Sequence, residues 1–272
     1  MQSLLDLLTG RSEELDLDRA ALELARIEYP GLDIEPFIGI LDSYAVELSE
    51  RLGDGTSGSD YVETANRYLF EELGFAGNQD NYYDPRNSCL NDVLTARTGI
   101  PIALAVVYLE IGRRLAQPVY GIGLPGHFIV QYRTADFSAF IDVFHSGRLL
   151  SMAECFELAR QSTGTPLGDD PRMLAPASKR QIVTRMLHNL RSVYFLRRAF
   201  GKALQTLDLL VAAEPDSAEE YKQRGIIHMQ MRNLAAARAD LEAYLRLARE
   251  ASDREEIQKQ LRALRNYQAG LN

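Results

Sequence analysis

The sequence predicts a mostly helical α+β protein with a small antiparallel sheet in its middle and an all-α array at its C-terminal end. Apolar residues recur at helical spacing through the first third of the chain and again after Pro176. Between these stretches, Ile100–Leu115 is apolar nearly all round, the mark of a helix buried on most sides. Three short strand-type runs follow it, Val119–Gly123, Gly126–Tyr132 and Ser138–Phe144.

In chain order, Leu17–Tyr29 follows the possible cap Asp16, carries Leu17, Ala21, Leu24 and Ala25 on related turns, and stops at Pro30-Gly31. Pro36–Leu52 places Phe37, Ile40, Leu41, Tyr44 and Leu48 on one stripe. Gly53–Ser59 is a loop by composition, and Asp60–Leu73 reads as a third helix. The polar and aromatic stretch Asn78–Asn87 leads into a short helix, Ser88–Arg97, which Asn87 or Ser88 could cap. Pro101 then stands at a favourable first-turn position of the buried helix. Ser151–Gln161 is a helix capped by Ser151, and Ser162–Ala177, rich in Gly, Pro, Asp and Thr, marks a boundary. The expected domains are 1–162, a linker 163–177, and 178–272.

The C-terminal part repeats itself at an offset of 34 residues: Leu187 with Tyr221, Tyr194 with His228, Phe200 with Leu234, Ala203 with Ala237, Leu207 with Leu241, and Leu210 with Tyr244. That period, the paired small residues and Pro215 closing the first unit are the signature of tetratricopeptide (TPR) helix pairs. Two units plus a last helix near Arg254–Tyr267 make a short array offering a groove to a protein or peptide.

Composition narrows the function classes. At −8, from 38 acidic against 30 basic residues, the formal charge argues against nucleic acid as the main partner. No apolar run reaches the ~18 residues that would indicate a membrane span. Met1–Gly10 has acid but no basic cluster before its leucines, so it is not read as a secretory signal. Two cysteines, Cys89 and Cys155, make no disulfide framework and point to reduced thiols in a cytoplasmic protein.

Chemistry concentrates in the strand runs. Gly126–Tyr132 and Ser138–Phe144, joined by the polar Arg133–Phe137, can pair as a hairpin. His127 and Asp142 would then meet as base and orienter of a thiol-nucleophile site. Asp142, between Ile141 and Val143 in an apolar strand, needs such a partner. The pair reads either as a working base or as a structural hydrogen bond. Gly121-x-Gly123-x-x-Gly126 spells a dinucleotide fingerprint but lacks the helix whose N-terminus would meet the phosphates, so Leu124-Pro125-Gly126 is read as a tight turn presenting His127. His145, His188 and His228 make no metal set, and no cofactor is implied. Tyr82, Tyr83 and Arg86 could line a pocket above His127, or Asp84-Pro85 and Asn87 could simply organise the turn.

Taken together, Tyr82-Tyr83-Asp84-Pro85-Arg86-Asn87-Ser88, Arg97-Thr98-Gly99-Ile100-Pro101, Gly121–Phe128 and Ile141-Asp142-Val143-Phe144 resemble the transglutaminase-like (papain-like) core of the SirB family. These are bacterial proteins described as regulators of sirC expression, in which such a core precedes TPR repeats. His145-Ser146 departs from the turn-like pair expected there. The resemblance implies His127 in the base position and Asp142 in the orienting position. Active members of the fold carry a cysteine at the start of the central helix, as Gly-x-Cys. Here that place reads Gly99-Ile100-Pro101, and proline has neither a thiol nor an N–H.

Cys89 could substitute from the start of the preceding helix, or it could be a small buried side chain beside Leu90 and Val93. Cys155, beside Phe156 in an amphipathic helix, is read as packing. The expected function is therefore a non-catalytic regulator or adaptor with a residual His127–Asp142 pair. The alternatives are a cysteine-dependent acyl transferase, amidase or peptidase using Cys89, His127 and Asp142, and hydrolysis by His127 and Asp142 acting on water.

Overall fold

Helix α6 (Pro101–Arg114) is the axis around which the first part of the chain is built. Its residues from Pro101 to Gly112 are all buried, as the apolar pattern requires. Pro101 occupies the first turn, where its fixed φ suits the helix and its missing N–H has no partner to lose. Ile100, extended, precedes it, with its N–H donated to the Asn87 carbonyl at 3.1 Å. The computed structural model describes residues 2–11, 14, 16–53 and 55–269; Asp54, in the expected Gly53–Ser59 loop, lies outside them.

Ahead of α6 come α1 (Gln2–Leu8), α2 (Leu17–Ala25), α3 (Glu35–Arg51), α4 (Gly58–Asn66) and α5 (Leu90–Ala96). The third expected helix continues from α4 as a π-helical segment, Arg67–Glu72. Neither Asn87 nor Ser88 caps α5: both lie in a 3-10 turn, Pro85–Ser88, and Cys89 holds the N-cap position. Two very short strands, β1 (Ala76–Gly77) and β2 (Thr98–Gly99), pair in parallel and pin the segment leading into α6.

The antiparallel sheet follows α6 in the order β3 (Val119–Ile122), β4 (Ile129–Arg133), β5 (Ser138–Asp142), β6 (Arg148–Leu150). The expected hairpin is β4–β5, with Val130 opposite Ile141 and Gln131 opposite Phe140. α6 meets β3 so closely that a Cβ on Gly112 would sit 2.2 Å from Val119 Cγ2, so only glycine fits there. α7 (Met152–Thr163) opens with a full capping box between Ser151 and Glu154. It packs Cys155, Phe156 and Ala159 against Ile122, Leu124, Ile129 and Leu150 of the sheet region.

The polar end of α6 is tied down by charge. Arg114 bonds Asp18 Oδ2 at 2.6 Å, Asp42 Oδ1 at 2.7 Å and Glu110 Oε2 at 3.0 Å, joining α2, α3 and α6. Asp18 and Glu110 are both buried, so this guanidinium neutralises carboxylates that water does not reach. Burial, helped by the nearby Asp18 charge, pushes the Glu110 carboxyl above its usual range.

By packing, the chain divides into one unit over Ser12–Met186 and another over Gln2–Arg11 with Leu187–Asn272. The stretch 163–177 is folded onto the first unit. Pro171–Leu174 is a 3-10 turn, Pro176 bridges Ile122, and Leu167, Met173 and Leu174 pack with the α7 cluster.

The second unit holds α1 against α9, within the series α8 (Lys179–Leu196), α9 (Phe200–Ala213), α10 (Ala218–Gln230), α11 (Leu234–Leu247) and α12 (Arg254–Ala269). The repeat is visible in the backbone itself. α9 and α11 start at positions 200 and 234, and each is preceded by a left-handed residue, Arg198 (φ 55°) and Arg232 (φ 61°). Matching bonds close the two turns, Ala199 N–H to Tyr194 O at 2.9 Å and Asn233 N–H to His228 O at 2.8 Å. Ala203 and Ala237, the paired small residues, are completely buried, as are Leu207 and Leu241.

Candidate functional site

The turn that presents His127 follows from three residues. Leu124 accepts the His127 N–H at 3.2 Å, Pro125 supplies φ near its fixed value, and Gly126 takes φ 70°. Proline then glycine in these places is the chemistry of a type II turn. A Cβ on Gly126 would also strike Ser162 at 2.8 Å. His127 therefore lies just ahead of β4 rather than inside it, and its side chain is buried.

Asp142 ends β5 and caps the 3-10 turn Val143–His145, accepting the N–H groups of Phe144 at 3.2 Å and His145 at 3.4 Å. His127 Nε2 lies 3.0 Å from Asp142 Oδ1, so the two strands bring the expected pair together. The other oxygen is also taken: His145 Nδ1 lies 2.7 Å from Asp142 Oδ2. One buried carboxylate thus orients two imidazoles, whose rings stack with centroids 6.0 Å apart. An ionised carboxylate can only accept, so His127 Nε2 and His145 Nδ1 donate to it. Burial alone would raise the Asp142 pKa, but the hydrogen bonds from His127 and His145 outweigh it and hold the group below the usual carboxylate range.

His145, which the sequence reading assigns to no metal set and no site, joins this one. The structure corrects that reading, because the 3-10 turn folds His145 back onto Asp142 three residues earlier. The spacing Asp-x-x-His was the available signal. Ligating atoms of His127, Asp142 and His145 lie within 4.8 Å of one another, so these three could take a divalent cation in place of the two bridging protons. His188 forms a similar group in the second unit with Glu214 (3.1 Å) and Glu220 (3.7 Å), and Glu220 is also paired with Arg191.

Aromatic rings extend the site. Phe144 stands edge-on to the His127 ring at 6.0 Å, Tyr82 edge-on to Phe144 at 6.1 Å, and Tyr83 edge-on to Tyr82 at 5.4 Å. Tyr82 and Tyr83 are exposed. Arg86 does not join them; it forks onto Asp84, with Nη2 to Oδ2 at 2.8 Å. Asn87 organises the loop through the Asn81 carbonyl at 2.7 Å and the Asn78 amide at 3.0 Å. The cation that reaches the site is Arg185, from α8, whose Nη2 donates to the His127 carbonyl at 2.6 Å. Nothing in the local sequence pointed to it.

The cysteines lie elsewhere. Cys89 is completely buried, with its N–H on the Arg86 carbonyl at 3.2 Å and its thiol near Tyr29. Among the described residues, His127 and His145 are the metal-type ligands gathered with Asp142, and no cysteine joins them. Cys155 is completely buried beneath the sheet, and burial first of all pushes its thiol up to about 12. No helix among the described residues is long and apolar enough to cross a membrane.

Comparison with known proteins places the chain in a family. Residues 36–188 match the transglutaminase-like superfamily and residues 190–262 the tetratricopeptide repeat. A UPF0162 protein of Xylella fastidiosa (strain 9a5c) is 38% identical over 244 residues, 89% of this chain and 87% of its own. A UPF0162 protein of Pseudomonas aeruginosa is 29% identical over 85% of this chain and 84% of its own. Human F-box only protein 21 is 28% identical over 172 residues, 59% of this chain but 26% of its own length. A central buried helix, a four-stranded sheet carrying His127 and Asp142, and 34-residue helical repeats accompany these matches. The chain belongs to the transglutaminase-like superfamily and, within it, to the UPF0162 (SirB-type) proteins, in which that core is followed by tetratricopeptide repeats.

Proposed function

We propose that the protein is a non-catalytic regulator or adaptor of the bacterial cytoplasm. Its transglutaminase-like core is a degenerate enzyme fold, and its TPR helices take a protein or peptide partner. The observation that carries this reading is Pro101 at the first turn of α6, where thiol enzymes of this fold hold their nucleophile. A proline there gives no sulfur to attack a carbonyl and no N–H to hold an oxyanion. His127 and Asp142, both buried, remain hydrogen-bonded, with the exposed His145 on the same carboxylate, which is a structural role without a thiol beside it. The related segment in F-box only protein 21 is about a quarter of that chain, which supports a module that works as part of something larger.

The competing reading is an acyl transferase, amidase or peptidase in which Cys89 attacks, His127 shuttles the proton and Asp142 orients the ring. In its favour, Cys89 sits at the N-cap of α5, where free N–H groups stabilise a thiolate. Against it stand complete burial and the absence of Cys89 from the Asp142 cluster. Alkylation decides between them. The regulator reading expects Cys89 to react with iodoacetamide near neutral pH more slowly than free cysteine, at a rate unchanged in His127→Ala. Fast modification that His127→Ala abolishes would establish the enzyme instead.

A further inference from the structure

Arg185 is half-buried, and no carboxylate among the described residues pairs with it. Its surroundings are the His127 carbonyl at 2.6 Å, the Phe128 ring with its centroid 5.6 Å from the guanidinium carbon, and Tyr82. Burial disfavours the charge, and the guanidinium stays ionised nonetheless, so a positive charge is held partly out of water without a counter-ion. Other well-covered arginines of this protein are compensated: Arg114 bonds Asp18, Asp42 and Glu110, and Arg224 bonds Asp240 and Asp208. A partly desolvated cation held in place by a single carbonyl is poorly explained by stability alone.

The geometry around it is that of a receptor. Of the five guanidinium donors, the His127 carbonyl uses one nitrogen. The other terminal nitrogen borders Gly123, where a Cβ would approach Nη1 to 3.2 Å, so glycine keeps that side uncrowded. Nearby stands the exposed Tyr82, edge-on to the buried Phe144, which is in turn edge-on to the buried His127, so the three rings form an aromatic wall open to solvent at Tyr82. A planar fork beside aromatic faces suits a carboxylate attached to an apolar or aromatic group. One guanidinium neutralises one negative charge, which matches a carboxylate better than a phosphate dianion.

We propose that Arg185, together with Tyr82 and the His127–Phe144 face, is a binding site for a ligand bearing a single carboxylate next to an apolar group. This rests on the reading of the His127 region as a binding surface rather than an acyl-transfer centre. Since Arg185 holds the carbonyl of the turn that presents His127, occupancy is felt directly at that imidazole.

The test is an NMR titration of the intact protein, following the His127 ring signal. The probes are N-acetyl-L-phenylalanine, its neutral amide, and inorganic phosphate. The expected result is saturable movement with the carboxylate and binding at least about tenfold weaker for the amide. Arg185→Gln is expected to lose about tenfold in affinity, and Arg185→Lys less, since an ammonium keeps the charge but not the fork. Equal response to acid and amide, no response to the acid, or response to phosphate alone overturns the proposal. So does an Arg185→Gln variant that binds like the wild type. The acid-against-amide contrast uses the unaltered protein, so it stands even where a variant fails to fold. An acylated Cys89 would refute the regulator reading without changing this titration, and a failed titration leaves the thiol result as it was.

Discussion

His145 Nδ1 lies 2.7 Å from Asp142 Oδ2, closer than the 3.0 Å between His127 Nε2 and the other oxygen of the same carboxylate. The residue set aside in the sequence is thus the nearer partner of the buried acid. His145 is 43% exposed at its side chain and His127 only 7%, so the two bonds carry different energies. Replacing Asp142 by Ala strands the His127 N–H and loosens the amides of Phe144 and His145. We predict a stability loss of about 2–4 kcal/mol in urea unfolding. His145→Ala, whose bond competes with water, is expected to cost less than about 1 kcal/mol.

The same carboxylate sets a pH dependence. Its folded pKa lies below the unfolded value of about 3.9, so its contribution is fully present above that pH and fades as pH falls through the folded pKa. The groups facing it are the His127 and His145 rings. The stability difference between the wild type and Asp142→Asn should therefore shrink as the pH falls below about 4. A difference that grows in acid contradicts the assignment.

The anchor at the end of α6 is a second place where charge, not apolar area, holds the fold. Arg114→Ala leaves Asp18 and Glu110, exposed 2% and 3% at their side chains, with Arg113 alone to compensate both, its Nε 2.8 Å from Glu110 Oε2 and its Nη2 3.7 Å from Asp18 Oδ2. The expected loss is about 3–5 kcal/mol by urea unfolding. A loss below about 1 kcal/mol would mean that Arg113 or water compensates the pair.

In the repeats, Arg232 takes a left-handed conformation at the position after a helix where glycine is usual. Arg232→Gly removes that strain and is predicted to raise stability by about 0.5–1 kcal/mol, read from the thermal midpoint. A lower midpoint would show that the side chain contributes more than the backbone strain costs.

What was legible in the sequence was local. The apolar face of α6, the β4–β5 hairpin that joins His127 to Asp142, and the 34-residue offset all follow from spacing within a few turns or strands. β1 and β2 were missed because two residues each carry no periodicity, and they exist only because Ala76–Gly77 meets Thr98–Gly99 in space. Met1–Gly10 carries no secretory signal in the sequence reading and is assigned no helix there; α1 forms in it, with Leu4, Leu7 and Leu8 buried in the second unit. Gly123 and Gly126 spelled a nucleotide motif but answer to Arg185 and Ser162. Arg185 itself is 58 positions from the carbonyl it holds, and one arginine on an amphipathic helix gives no sign of that.

Whether a nucleophile exists at all is read most directly from a burst experiment. The native protein is mixed with p-nitrophenyl acetate, early nitrophenol release is followed, and the intact mass is taken at once. With Pro101 at the head of α6 and both thiols buried, the prediction is no stoichiometric burst, no acetyl group on Cys89, and the same slow release from His127→Ala. One equivalent released per chain, with the acetyl group on Cys89 and both lost in His127→Ala, would contradict it.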